Sequence, residues 1–454
     1  MKVRYGIFAL PILMALSLRL VAVAQPPDPI AAAPTDPLIA RMVAAVSAGT
    51  LQSIDRRLVG FGTRNLFSET SQSKSRGVFA ARDWLVAQFN TIASSSGGRM
   101  TVTLDSYVLA KTDRTPRAVK VSSVIATLKG DDSDGRTYVM SSHYDSRNSD
   151  GNDAVLDSPG ADDNGSGTSA LVEAARVMAS HHFRGTIIFA AFDGEEQGLF
   201  GSDHFAKVLK ARGVRVAGDL NNDIIGASRG HDGEYSPDDV RLFSEALPID
   251  AKLRAINLYG SENDSQSREL ARFVKATAEQ YVPPMHADLI YRGDRFLRGG
   301  DQQSFTAVGY PAVRFVEAHE NFDHQHQNVR IENGIEYGDL QKYMDFAYLA
   351  RVTKMNVAAL SALALGPAAP SQVQMLTRTL GYDTSLRWKA VPSAVAYEIV
   401  WRATDSPVWQ HSHNVGAVTQ ATVKVSKDDF LLGLRSVDAR GRRSVVVYPT
   451  PVRE

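Results

Sequence analysis

The chain has 454 residues, 44% of them hydrophobic and 22% charged, enough apolar content for a sizeable core and too little bias for a disordered chain. Lysine plus arginine equal aspartate plus glutamate at 50 each, so no bulk field draws nucleic acid or an anionic membrane surface. There is no cysteine, which excludes disulfides, thiolate metal ligands and thiol nucleophiles and leaves His, Asp and Glu to hold any metal.

The first residues, MKVRYGIFALPILMALSLRLVAVA, combine a basic start, an apolar middle and the small-x-small end Ala22-Val23-Ala24. This is a signal-peptide pattern over residues 1–24 and predicts export, to the periplasm or beyond the cell, with no membrane attachment after cleavage. No other stretch is long enough to span a bilayer. A Pro/Ala-rich spacer leads into helical patterning at PLIARMVAAVSAGTLQSIDRRLVG and SRGVFAARDWLVAQFNTIA. Apolar, β-branched runs then alternate with helix-like segments: KVSSVIATLKG, RTYVMSSHYDS, GTIIFAAFDGEE, LNNDIIGAS and PAVRFVEA, separated by stretches such as SGTSALVEAARVMASHH and GSDHFAKVLKARG. This alternation predicts an α/β domain with a mostly parallel sheet between helices and functional groups beyond the carboxyl ends of its strands. A final helical pattern ends at Gly366, and GPAAPS reads as a linker. From about residue 372 to 454, short strands without helical period predict an all-β sandwich; its tryptophan in LRW and tyrosine in AYEIVW resemble fibronectin type III domains. Trp388 and Trp401 are expected in its core, and the sandwich is a candidate for binding a polymer or protein.

Four acidic clusters fall at or beside strand ends. His143 and Asp145 in SSHYDS lie two apart, on one side of a continuing strand, a spacing that lets a carboxylate orient a metal-binding imidazole. GADDNGSG at 160–167 is an acidic, glycine-rich loop before a helix, a position that also suits a helix cap or a surface turn. EEQGLFGS at 195–202 follows a buried strand, and Asp223 interrupts an apolar one. The late segment ENFDHQHQNVR at 320–330 adds histidines, completing a set of oxygen and imidazole donors that suits zinc and tolerates manganese or cobalt.

Taken together, HYDS, GADDNGSG, EEQGLFGS, a strand aspartate after LNN and a late histidine followed by Asn or Asp resemble the two-zinc aminopeptidases of the bacterial leucyl-aminopeptidase type. That family also holds glutamate carboxypeptidases and one-zinc glutaminyl cyclases. The resemblance covers about residues 40–365 and implies the zinc-exopeptidase fold within a peptidase domain of residues 25–366. It implies two zinc ions per chain held by His143, Asp163, Glu196, Asp223 and His324. Glu195 then corresponds to the general base acting on a metal-bridging water, with Asp145 as its orienting partner at His143. Asp163 is chosen over Asp162 because it stands four residues before Gly167, the register the family motif keeps, and the Asp163–Asn164 peptide is implied to be cis. His324 is favoured over His326 because Asn328 stands four residues after it, where relatives carry an aspartate. Gln302, in GGDQQSF, stands where many relatives have histidine and implies a changed pocket lining. The substrate implied is a peptide with a free N-terminus. The rival readings are a carboxypeptidase or a glutaminyl cyclase on the same scaffold, and a non-catalytic binding protein. Arg292, Arg295 and Arg298, three apart, read either as a structural face or as a contact for an anionic substrate group. His181, His182, His204, His231 and His286 read as caps or surface residues.

Overall fold

Residues that read as uninterrupted apolar runs form strands covered on both faces. In β3, Arg136–His143, every residue is buried; Tyr138 and Met140 enter the larger core while Val139 enters a smaller one across the sheet. β4, Thr186–Phe192, repeats the alternation, with Ile187, Phe189 and Ala191 on the larger side and Ile188, Ala190 and Phe192 on the other. The computed structural model describes residues 29–132, 134–246 and 260–453, so the expected signal segment lies outside the described residues.

The other strands of the main sheet are β1 (Met100–Leu109), β2 (Val119–Leu128), β5 (Arg215–Asn222), β6 (Asp239–Ser244), β7 (His286–Ile290) and β8 (Ala312–Glu317). Their order is β1-β2-β4-β3-β5-β8-β6-β7. The pairs β3/β4, β3/β5, β5/β8 and β6/β7 are parallel, whereas β1/β2, β2/β4 and β6/β8 are antiparallel. Because β3 lies between β4 and β5, the chain leaves it first to one side and then returns to the other. The carboxyl end of β3 is therefore a topological switch point, where loops part and leave a crevice. Among the helices covering the larger core are 48–59, 167–178, 266–281 and 346–365, while 200–211 and 302–307 cover the smaller. The helix at 346–365 starts where Asp345 accepts the N–H groups of Ala347 and Tyr348, and it stops just before Gly366. No single helix among the described residues is long and apolar enough to cross a membrane.

One strand reading is corrected. β5 ends at Asn222, so Asp223 stands beyond the strand instead of interrupting it. Its N–H still reaches Phe315 O at 3.2 Å, but the positive φ of Ile224 (61°) then turns the chain away and leaves the Asp223 side chain at the sheet's edge.

Residues 371–452 form two further sheets, one from strands 371–376, 384–389, 420–423 and 450–452, the other from 396–403, 411–416 and 430–437. Trp388, Tyr397 and Trp401 are buried in the core beside them. This part is anchored on the helix 266–281 and the residues before it. Trp409 Nε1 donates to Glu269 Oε2 (2.9 Å), Arg402 pairs with Asp264 (2.8 Å), and Arg272 Nε donates to Pro407 O (2.7 Å).

Phe189 is fully buried in β4 against the larger core. Phe189→Ala is expected to lower unfolding free energy by about 3–5 kcal/mol, read as a lower urea midpoint with an unchanged slope.

Candidate metal centre

The centre is built where β3, β4 and β5 end. His143 closes β3 with its ring buried; Nδ1 lies 3.4 Å from Asp145 Oδ1 and 3.2 Å from the Asp145 carbonyl. The two oxygens of Asp145 also accept the backbone N–H groups of Glu195 and Glu196, each at 3.2 Å. One carboxylate thus orients the imidazole and ties the first turn after β4 to the end of β3.

The acidic loop is positioned by a residue far along the chain. Asp339 accepts the N–H groups of Asp162 (2.8 Å) and Asp163 (2.7 Å), and the Asp163–Asn164 peptide is cis, as the resemblance implies. The loop also has no room to shift at Gly167, where a Cβ would collide with Asn222 O and the Asn164 side chain. Asp162 turns away, accepting from Gly226 N (2.8 Å), and burial raises its carboxyl to about 6. Asp163 turns inward. Its Oδ1 lies 3.4 Å from His143 Nε2 and its Oδ2 lies 2.9 Å from His326 Nε2.

Two groups of candidate ligand atoms result, His143 with Glu195 and Asp223, and Asp163 with Glu196 and His326. His143 Nε2 is 3.4 Å from Asp223 Oδ1 and 3.9 Å from Glu195 Oε2, and His326 Nε2 is 3.0 Å from Glu196 Oε2. These separations suit a small cation: ligand atoms about 2.0–2.1 Å from a tetrahedral zinc lie roughly 3.3 Å from one another. His143 Nε2, Asp223 Oδ1 and Glu196 Oε1 are buried without a hydrogen-bond partner, as atoms reserved for a metal would be. Burial alone would depress the His143 and His326 imidazoles, yet the facing carboxylates hold both well above the ordinary histidine range. The same imidazoles, His326 foremost, outweigh burial at Asp163 and hold its carboxyl well below the usual range. The cluster attracts positive charge at both Nε2 positions. Burial raises Glu195 well above an ordinary glutamate.

The sequence-derived residues His143, Asp145, Asp163, Glu195, Glu196 and Asp223 therefore converge, and His324 does not. His324 stacks on Tyr343, with ring centroids 3.6 Å apart, and His326 occupies the expected place. The positive φ of His326 (52°) redirects the chain there. Counting back from Asn328 misleads because Asn328 is used elsewhere: its N–H donates to Ser149 Oγ and its Oδ1 accepts from Ser149 N, fastening this loop to the one after Asp145.

Two charged partners were not foreseen. Arg314, fully buried on β8, bonds Asp223 Oδ2 (2.6 Å), Asp294 Oδ2 (2.6 Å) and the Gly299 carbonyl. Its signal was visible as a positive charge between apolar residues in PAVRFVEA; Asp339 had none. Gln302, expected to alter the pocket lining, is buried and donates to Asp294 Oδ2 (2.9 Å), bracing the far end of this arginine link. Arg295 and Arg298 pair with Glu320, both at 2.6 Å, while Arg292 lies over the Phe296 ring.

Comparison with known proteins places this geometry. A family model described as Peptidase family M28 matches residues 123–349. A probable zinc metalloprotease of Leptosphaeria maculans is 45% identical over 418 residues, spanning 91% of this chain and 97% of that one. Another, of Pyricularia oryzae, is 43% identical over 417 residues, spanning 89% and 83%. Among solved structures, the LapA aminopeptidase of Legionella pneumophila matches with a TM-score of 0.51 at 19% identity, over 72% of this chain and 74% of that one. A glutaminyl cyclase of Porphyromonas gingivalis matches with a TM-score of 0.50 at 20% identity, over 70% and 98%. The sheet and the likeness to these structures define the zinc-exopeptidase fold class. The chain belongs to peptidase family M28.

Because Arg314 neutralises two buried carboxylates, Arg314→Met is expected to destabilise the metal-free protein by about 3–5 kcal/mol in a denaturant titration. Arg314→Lys is expected to lose less, since it keeps the charge but not the two-pronged geometry.

Proposed function

We propose that the chain is an exported zinc exopeptidase that holds two zinc ions and removes N-terminal residues from peptides. The observation that carries this reading is Asp163, whose two oxygens face two different imidazoles. A carboxylate so placed can serve two cations at once. His143, Asp163 and Asp223 would hold one, and Asp163, Glu196 and His326 the other. The donors are imidazole and carboxylate without sulfur, which suits zinc and accommodates manganese or cobalt. The relatives named as probable zinc metalloproteases and the aminopeptidase of like fold support the same assignment.

When bound, two such ions supply Lewis acidity toward the scissile carbonyl and lower the pKa of a water. The residues of the chain do the rest. Glu195, in the first group but 3.9 Å from His143 Nε2 and so beyond hydrogen-bond distance of that imidazole, takes the proton of the attacking water on its carboxylate and returns it to the leaving amine nitrogen. Its burial raises the proton affinity of that carboxylate, the direction a proton acceptor requires. Asp145 keeps His143 in one tautomer by facing Nδ1, so that Nε2 presents its lone pair to the centre. The C-terminal sandwich is an accessory module in this reading, a fibronectin-like domain joined after residue 366.

The test is metal content together with turnover of aminoacyl and N-blocked peptides. Two zinc ions per chain, and aminoacyl hydrolysis abolished by a chelator and restored by zinc, are expected. One bound zinc with conversion of N-terminal glutamine to pyroglutamate would identify a cyclase instead. Glu195→Gln is expected to keep both metals and lower kcat by about 10²–10⁴-fold. His326→Ala is expected to lose one of the two ions, whereas His324→Ala keeps both, read by metal analysis after dialysis.

A further inference from the structure

The cleft above the cluster encloses about 470 Å³ and has an unusual division of charge. Every carboxylate on its wall, Asp163, Glu195, Glu196 and Asp223, already belongs to the cluster. The other charged groups on the wall are arginines, apart from His326: Arg114, Arg147, Arg295, Arg298 and Arg314. Three of these are engaged. Arg314 serves Asp223 and Asp294, Arg295 pairs with both Asp294 and Glu320, and Arg298 shares Glu320 with Arg295 and Arg241. With Arg241 behind them, four guanidinium groups thus share three carboxylates, Asp223, Asp294 and Glu320.

Arg114 and Arg147 have no carboxylate partner among the described residues. Arg147 is half-buried and held in place by the carbonyls of Asn148 (3.1 Å) and Ser149 (3.3 Å), which leaves its charge uncompensated. Arg114 is exposed, and its Nη1 lies against Gly198, in the short turn that carries Glu195 and Glu196. A substrate bringing only an ammonium group would meet arginines and no uncommitted carboxylate on this wall. One bringing a carboxylate would meet planar, fixed-geometry donors that bind such groups in a two-pronged fashion.

We infer that Arg114 and Arg147 form a subsite for a carboxylate of the substrate, so that the enzyme acts on peptides carrying negative charge next to the scissile bond. The carboxylate has two possible sources, an acidic side chain or a free C-terminus, and the same guanidinium chemistry reads both. This inference rests on the hydrolytic reading of the cluster, and it narrows the substrate within that reading.

The zinc-loaded full chain is assayed on two matched pairs. The first pairs N-terminal glutamate with glutamine in otherwise identical chromogenic substrates. The second pairs an N-blocked peptide ending in a free carboxylate with its C-terminal amide. A charged member favoured at least 10-fold in kcat/KM is expected in one pair, and which pair identifies the source of the carboxylate. Rising salt should narrow the preference, because the contact is partly exposed. Arg147→Gln and Arg114→Gln together should reduce the charged-to-neutral ratio by about 10-fold or more, and the two lysine variants should recover part of it. Arg212→Gln, an exposed arginine outside the cleft, should not move the ratio. Hydrolysis with no preference in either pair, or a preference that survives the double substitution, overturns the inference and leaves the hydrolytic reading standing. No hydrolysis of any member after zinc loading overturns the hydrolytic reading itself.

Discussion

The arrangement depends on one constraint: several carboxylates and two imidazoles are gathered at the ends of three adjacent strands, where water cannot compensate them. An ionised group buried alone costs several kcal/mol, and like charges side by side add to that. The fold meets the constraint at Asp163, whose oxygens face His143 on one side and His326 on the other. The surrounding contacts serve to keep it there. Asp339 holds the backbone of the loop, Asp145 joins the end of β3 to the turn after β4, and Arg314 takes the outer oxygen of Asp223. Orphaned polar atoms remain at the inner side of this frame, a pattern that is costly unless a cation completes it.

The topology explains why these groups could meet at all. β3 lies between β4 and β5, and the connections leave it in opposite directions, so the crevice opens beside His143. His143 and His326, far apart in sequence, then both come within 3.4 Å of Asp163. The strands below this concentration of charge are buried on both faces and closely packed, which holds the groups at their ends in place.

Much of this was legible in the sequence, for identifiable reasons. Strands buried on both faces appear as apolar, β-branched runs, and charges at their ends stand out against them, as with His143, Glu195 and Glu196, while Asp223 stood out as a charge among apolar residues. Asp163 could be separated from Asp162 by the register of the resembled family motif relative to Gly167, a position that the close approach of Asn222 O restricts to glycine. What stayed hidden depended on tertiary contact. The choice between His324 and His326 turns on one residue's positive φ, which no spacing reveals. Asn328 looked like a partner for the histidine because its pairing with Ser149, on another loop, could not be seen. Asp339 lies in a segment with no pattern of its own, and its role exists only because the chain folds back against the acidic loop.

Whether Asp163 serves both proposed metal positions is decided by a zinc titration of the wild-type chain against Asp163→Asn, with affinities followed by competition with a chromophoric chelator. Two ions are expected in the wild type, with a loss of at least 10-fold in affinity at both positions in the variant. Weakening of only one position, or of neither, would contradict a shared role for Asp163.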